Sequence, residues 1–249
     1  MRFMIKKSFD KFELKLQQDY YGLKTLSYIK AYGMEYDFLR FYAVQEGLAT
    51  ASVMLFNRSA VIGGSLLDFD ELSDFIQMSS PLTVECPTAA AERLELTGYS
   101  VVKRTLFNMC PDPDFREEPV VKLLETPPSL EAVYKVLEQS FPKIEYDLWY
   151  TDTSHRIRHE VSRLFLYDNC SCAAIDFALE GKAFISGVAT LPEERGRGRA
   201  GDLLRYIAAL LKRNGFEGYL WATDETVDFY RKLGFSAVDE DYMFVSDEE

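Results

Sequence analysis

The sequence predicts a mixed α/β fold: a mostly antiparallel central sheet flanked by helices, in two consecutive domains. Three observations carry this: the order of elements in the second half, a proline-rich break near the midpoint, and a weak repeat across that break. Val120–Leu124 reads as a short apolar strand. Pro127-Pro128-Ser129 opens a helix with apolar spacing at Leu130, Val133, Tyr134 and Leu137, closed near Pro142. A second helix is expected from about Asp147 to Val161. Strands are expected at Leu164–Tyr167, Cys172–Leu179 and Ala183–Thr190, turned at Asp168-Asn169 and Glu180-Gly181. Leu203, Leu204, Ile207, Leu210 and Leu211 form a helical stripe that Asn214-Gly215 stops. A strand at Tyr219–Ala222, a short helix at Glu225–Leu233 and a last strand after Phe235 complete the half.

The break is Cys110-Pro111-Asp112-Pro113-Asp114-Phe115-Arg116-Glu117-Glu118-Pro119. Its three prolines remove strand donors and block helix continuation. Domains are therefore expected at 1–109 and 119–249, with 110–118 as linker. A shift of 123 residues lays Arg40–Gly64 over Arg163–Gly187 without a gap, pairing Ala51 with Ala174, Ala60 with Ala183, Ile62 with Ile185 and Gly64 with Gly187. Leu96–Val102 lies over Lys232–Val238 at a shift of 136, so the second copy is 13 residues longer. The excess falls between Gly187 and Gly234.

The 249 residues are 47% hydrophobic, which excludes a disordered chain, and carry a net charge of -12. The halves on either side of residue 118 are both acidic, at -4 and -8. Such a surface repels phosphate backbones and anionic membranes, so neither nucleic acid nor membrane is an expected partner. No apolar run is long enough to span a bilayer, and Met1–Lys7 is basic without the apolar stretch of a secretory signal. Four unevenly spaced cysteines give neither a disulfide framework nor a zinc pair. The expected location is cytoplasmic.

Within the acidic half, Arg195, Arg197 and Arg199 stand together in Val188-Ala189-Thr190-Leu191-Pro192-Glu193-Glu194-Arg195-Gly196-Arg197-Gly198-Arg199-Ala200-Gly201. A strand stops at a proline, a turn of glycines and arginines follows, and an amphipathic helix begins. Glycine lets a backbone approach a ligand closely, and a helix N-terminus presents unpaired N–H donors with partial positive charge. Together these form a cradle for pyrophosphate.

At this point the chain resembles the GNAT N-acetyltransferases. Their acetyl-CoA loop, Arg/Gln-x-x-Gly-x-Gly/Ala, is matched by Arg195, Gly198 and Ala200, with Pro192 upstream. Their Tyr-x-x-Leu-Gly-Phe is matched by Tyr230-Arg231-Lys232-Leu233-Gly234-Phe235. The resemblance covers residues 119–249 and implies an N-acetyltransferase that passes acetyl from acetyl-CoA to an amine by direct attack. It implies that Arg195, Gly196, Arg197, Gly198, Arg199, Ala200 and Gly201 hold the pyrophosphate. Val188, Ala189 and Thr190 would then lie on a splayed strand that binds the pantetheine arm, and Tyr230 would assist thiolate departure. Thr223 stands where the family often has a CoA-contacting Asn, and Arg199 where it has an aliphatic or aromatic residue. The family's strand glutamate is missing from Lys182–Thr190, so Glu145, Asp147, Asp176 and Asp224 are candidates for the base.

By the repeat, residues 1–109 resemble a degenerate second copy, giving two tandem GNAT-like domains. Ser65–Glu71 replaces the phosphate loop without an arginine, with Asp68 and Glu71 as a capping box. Leu94 stands in place of Tyr230. The aromatic set Tyr20, Tyr21, Tyr28, Tyr32 and Tyr36 reads as a packed helix face rather than a pocket. His155 and His159 share a helix face but lack a third ligand, and Arg156 and Arg158 would repel a cation, so no metal is expected. Cys170 and Cys172 read as small core residues on one strand face. A monomer or homodimer with a cationic amine acceptor is expected. Two alternatives stand beside the enzyme: a non-catalytic acyl-CoA-binding module, and an aminoacyl-tRNA-dependent transferase.

Overall fold

The computed structural model describes residues 19–46, 49–64 and 69–247. The chain divides into two compact units. One holds the described residues up to Thr105 together with those from Asp239 onward; the other is Leu106–Val238. The division falls inside strand β5 (Tyr99–Asn108) rather than at the proline-rich segment, whose Phe115 packs on the core of the second unit.

In the second unit, the segment expected as a strand at Val120–Leu124 is instead a helical turn, Glu118–Val121, followed by the two-residue strand β6 (Leu124–Glu125). Pro119 sits in the first turn, where its missing N–H is no loss and its fixed φ suits a helix. Helix Leu130–Leu137 is capped by Ser129, whose hydroxyl accepts from the Ala132 N–H. Helix Tyr146–Arg158, strands β7 (Arg163–Tyr167), β8 (Ser171–Leu179) and β9 (Lys182–Thr190), helix Arg199–Arg213, strand β10 (Glu217–Thr223) and helix Asp224–Lys232 follow in the expected order. The sheet runs β10-β9-β8-β7-β6, with the end of β5 beside β10. Alternating side chains of β7 sort the helices onto two faces. Leu164 and Leu166 pack with helix 130–137, whereas Phe165 and Tyr167 pack with helix 199–213. That last helix buries Leu203, Leu204, Ile207 and Leu211.

β9 and β10 are parallel and pair only from Glu217↔Lys182 to Leu220↔Ile185. Beyond that rung β9 continues to Thr190 and β10 to Thr223, so the two strands part. The other edge of β9 stays paired with β8 up to Ser171↔Thr190, interrupted by a bulge between Cys172 and Ala174. Gly187 absorbs the extra residue at φ +59, a conformation that favours glycine.

In the first unit the sheet order is β1 (Leu39–Glu46), β2 (Ala49–Phe56), β3 (Ser59–Gly64), β4 (Thr83–Cys86), β11 (Ser236–Ser246) and β5. The chain's last strand therefore completes the first unit. Helix Tyr20–Tyr32 packs Tyr21 and Tyr28 with Leu39, Phe41, Met54 and Val61, the packed aromatic face the sequence suggests, except that Tyr36 lies beyond the helix and is exposed. Helix Asp70–Ser79 has Phe69 at its N-cap with no side-chain bond. The expected capping box rests on Asp68, which lies with Ser65–Leu67, Met1–Lys7 and Glu248-Glu249 outside the described residues. A buried network spans the unit. Arg104 donates from Nε and Nη2 to Asp241 (2.8 and 2.6 Å) and pairs with Glu85 (3.1 Å). Lys24 bonds Glu85 at 2.5 Å, and the Tyr21 hydroxyl donates to Asp241 at 2.5 Å.

The two hairpins of the repeat share a register at their turns. Leu55↔Ala60 and Phe56↔Ser59 become Ala178↔Ala183 and Leu179↔Lys182 when shifted by 123. The parallel partner follows in both copies, β4 on β3 and β10 on β9. Gly64 and Gly187 both have positive φ, +84 and +59.

Candidate functional site

The segment after β9 forms a groove of about 460 Å³ against the C-terminal half of helix 224–232. A 3-10 turn over Pro192–Glu194 redirects the chain, and Gly196 and Gly198 take positive φ (+76 and +81). Gly198 is the N-cap of helix 199–213 and supplies no side-chain bond, so the first-turn N–H groups keep their donor capacity. A Cβ at Gly196 or Gly198 would meet nothing within 4 Å; the space above both glycines is open. At Gly201 the opposite holds. A Cβ there would lie 2.9 Å from Leu233 Cδ2, so this glycine lets the helix start pack against the Leu-Gly-Phe segment.

The groove gathers Thr190, Arg195, Gly196, Gly198, Arg199, Ala200 and Gly201 of the sequence-derived set. Val188, Ala189, Arg197, Thr223 and Tyr230 are not in its wall. Sequence reasoning missed Glu194, Arg205, Phe229, Lys232 and Leu233, which do line it. The available signals were helical spacing, since Arg205 lies one turn after Gly201, and the tyrosine motif itself, which contains Lys232 and Leu233.

The three arginines of the loop make three different sets of contacts. Arg195 ties the end of β9 to the turn after helix 130–137: its Nε donates to the Thr190 carbonyl (3.0 Å) and its Nη2 to Ser140 Oγ (3.1 Å). Arg197 holds both carboxylate oxygens of Glu194 at 2.9 Å, cancelling the groove's one acid. Arg199 pairs with Asp168 at 2.5 Å and lies over the Tyr167 ring at 5.5 Å, anchoring the helix start to the β7–β8 turn. The position usually aliphatic or aromatic is thus filled by a guanidinium lying over an aromatic ring. The groove wall carries four cations, Arg195, Arg199, Arg205 and Lys232, against Glu194 alone, although Arg199 pairs outward with Asp168 and Arg205 lies within 3.9 Å of Asp112 and 3.8 Å of Asp202. On a chain of net charge -12, the groove is a local concentration of positive charge.

Tyr230 is 6% exposed, between Phe107 (5.6 Å) and Phe235 (6.5 Å between ring centres). Burial pushes its hydroxyl up to about 12, and that hydroxyl bonds to no described residue. Thr223 closes β10 beyond the last β9 rung and N-caps helix 224–232 without a side-chain bond. Among the carboxylates, Asp176 is held by Arg156 at 2.8 Å. Glu145, Asp147 and Asp224 are exposed at helix starts, and none lines the groove. The His155 and His159 rings stack at 4.3 Å, and no metal-ligating cluster exists among the described residues. Cys170 is a buried turn residue rather than a strand-face partner of Cys172. No described helix is long and apolar enough to cross a membrane.

With this geometry in view, residues 130–235 match the sequence model of the acetyltransferase (GNAT) family. That segment is a GNAT domain. It carries the fold and the class of an acyltransferase. A comparison with curated protein sequences finds no match. Among solved structures, a GCN5-related N-acetyltransferase from Sphaerobacter thermophilus is 21% identical, with a TM-score of 0.55 over 79% of this chain and 75% of that one. A GCN5-related N-acetyltransferase from Kribbella flavida is 16% identical, TM-score 0.56, over 83% and 90%. A tandem GNAT protein from the clavulanic acid biosynthesis pathway is 10% identical, TM-score 0.55, over 92% and 88%. At these identities the likeness is one of fold, and the last extends it to both halves of the GNAT-containing chain.

Proposed function

We propose that the chain is an acetyl-CoA-dependent N-acetyltransferase whose second unit carries the reaction. The observation that carries this reading is the open glycine backbone at the start of helix 199–213, ringed by four cations and set beside the parting of β9 and β10. The N–H groups from Gly196 to Gly201 bind the pyrophosphate of acetyl-CoA, and Lys232 and Arg205 add charge from the far wall. The pantetheine arm follows Val188–Thr190, where β9 has lost its β10 partner. There a main-chain donor polarises the thioester carbonyl as the amine attacks.

Tyr230 donates a hydrogen bond to the sulfur as the carbon–sulfur bond breaks. Full proton transfer is disfavoured: with the phenol at about 12 and a thiol near ~8.5, it is uphill by about 5 kcal/mol. The acceptor's ammonium loses its proton to water reached through the exposed gap, since Asp176 is engaged by Arg156 and the groove's one carboxylate, Glu194, is held by Arg197. The acidic surface favours a cationic amine as acceptor and disfavours tRNA. The first unit, with Asp70 and Glu71 in the first turn of its corresponding helix, is a degenerate copy that does not bind CoA.

Release of free CoA thiol across a panel of polyamines, basic peptides and neutral amines tests this directly. Turnover with cationic amines, strongly reduced in Tyr230→Phe, is expected. Tight acetyl-CoA binding with no turnover on any amine would leave the binding module standing and remove the enzyme.

A further inference from the structure

A larger cavity, about 610 Å³, opens at the outer edge of the second unit, and no residue lines both it and the groove. Its size suits a small organic ligand. Helix 146–158 contributes Tyr150, Ser154, Ile157 and Arg158, the one face that a four-then-three spacing gives. Strand β7 contributes Arg163, Leu164 and Phe165; Leu124 to Pro128 and Leu130 close a second side, and Tyr206 a third. β6 pairs with β7 only at Leu124↔Tyr167 and Glu125↔Leu166, after which Pro127 and Pro128 carry the chain off. The cavity therefore occupies the place along β7 where a further strand would lie.

Its chemistry is apolar walls with two cations. Arg163 lies over the Phe165 ring at 4.9 Å, and Arg158 Nε donates to the Ser154 carbonyl at 3.2 Å. Neither guanidinium reaches a carboxylate among the described residues. Arg156, Arg197, Arg199 and Arg213 of the same unit each pair with one. In so acidic a chain, these two exposed lining arginines are open to an anion from outside the chain. The lining's one acid, Glu125, is turned to the Ser129 N–H at 2.9 Å.

We propose that this cavity binds an amphipathic carboxylate, an aromatic or short aliphatic acid, with its carboxylate on Arg158 and Arg163 and its body against Leu164, Ile157 and Tyr206. The site is independent of the acetyl-CoA reading, because the two sets of lining residues are disjoint.

Calorimetric titration of the full chain with phenylbutyrate, with phenylbutanol and phenylbutylamine as neutral and cationic controls, tests it. Phenylbutyrate should bind at one site, more tightly than either control and unchanged by saturating acetyl-CoA. Both arginines are exposed, so Arg158→Gln and Arg163→Gln should keep the fold by circular dichroism. Each should weaken phenylbutyrate by roughly tenfold, about 1.4 kcal/mol, while leaving phenylbutanol unaffected. Ser154→Trp, which fills the cavity, should remove binding of acid and alcohol alike. Equal binding of acid and alcohol, indifference to both arginine substitutions, displacement by acetyl-CoA, or no binding at millimolar phenylbutyrate would each overturn the proposal. So would conversion of a dimer to monomer by Ser154→Trp, which would make this edge an interface between copies.

Discussion

The two hairpins of the repeat, β2–β3 and β8–β9, share register, a parallel partner on the same side and a positive-φ glycine at the same place, yet they lead to opposite chemistry. After Gly187 the chain runs into an arginine–glycine turn, and the helix that follows presents bare N–H groups to an open groove. After Gly64 the corresponding helix starts with Asp70 and Glu71. In that unit the strand partner β4 carries Glu85, sealed into a network with Arg104, Asp241, Lys24 and Tyr21. Topology is common to both copies; the sign of the charge at one helix start is not. The two units thus share backbone geometry around the hairpin and differ in the charge that their following helices carry at the start.

The largest expected effect breaks the comparison on the first unit's side. Arg104→Met leaves Asp241 buried without a cation while Glu85 keeps Lys24, and should destabilise the chain by about 3–5 kcal/mol in denaturant unfolding. Conversely, Arg195→Met, whose guanidinium bonds only neutral oxygens, should leave stability within about 1 kcal/mol while weakening acetyl-CoA binding. Next is Gly201→Val. A Cβ at that glycine meets Leu233 Cδ2 at 2.9 Å, so overpacking should lower stability by about 1–3 kcal/mol, measured by thermal unfolding. Acetyl-CoA affinity should fall with it, since the helix start is pushed off the groove.

A pH dependence sharpens the same contrast. Burial would raise the Glu85 carboxyl, but Lys24 and Arg104 override it and hold it down to about 2. A depressed carboxyl stabilises fully above its unfolded value near ~4.5 and loses that stabilisation as pH falls toward about 2. Unfolding midpoints followed between these values should drop in the wild type and drop less in Glu85→Gln. The smallest effect belongs to Asp168→Asn, which removes the anchor of Arg199 from outside the groove. It should raise the KM for acetyl-CoA a few-fold and leave kcat unchanged, because a partly exposed pair contributes about 1 kcal/mol or less.

Most of the second unit was legible because its signals are local. The Arg195–Ala200 loop, the Tyr230 motif and the apolar stripe of helix 199–213 each specify an element within a dozen residues. Val120–Leu124 was misjudged because a helical turn begun by Pro119 and a buried strand carry the same apolar run, and length could not separate them. The placement of β11 was hidden for a different reason. Asp241 finds Arg104 and Tyr21 across 137 and 220 residues, a pairing no local pattern reports. The same limit concealed Phe229 as a groove residue and the use of Arg199 as an anchor to Asp168. Side chains brought together by tertiary packing leave no periodic trace.

The central claim is one acetyl-CoA site, in the second unit, built on the glycine backbone at the start of helix 199–213. Calorimetric titration of wild type and Gly198→Glu with acetyl-CoA tests it most directly, since Gly198 has φ +81 and open space above it, so a glutamate there meets strain and puts negative charge at the cradle. One site per chain is expected, weakened by about two orders of magnitude (about 2.7 kcal/mol) in a folded Gly198→Glu. Two sites per chain, or undiminished binding in the variant, would contradict the account.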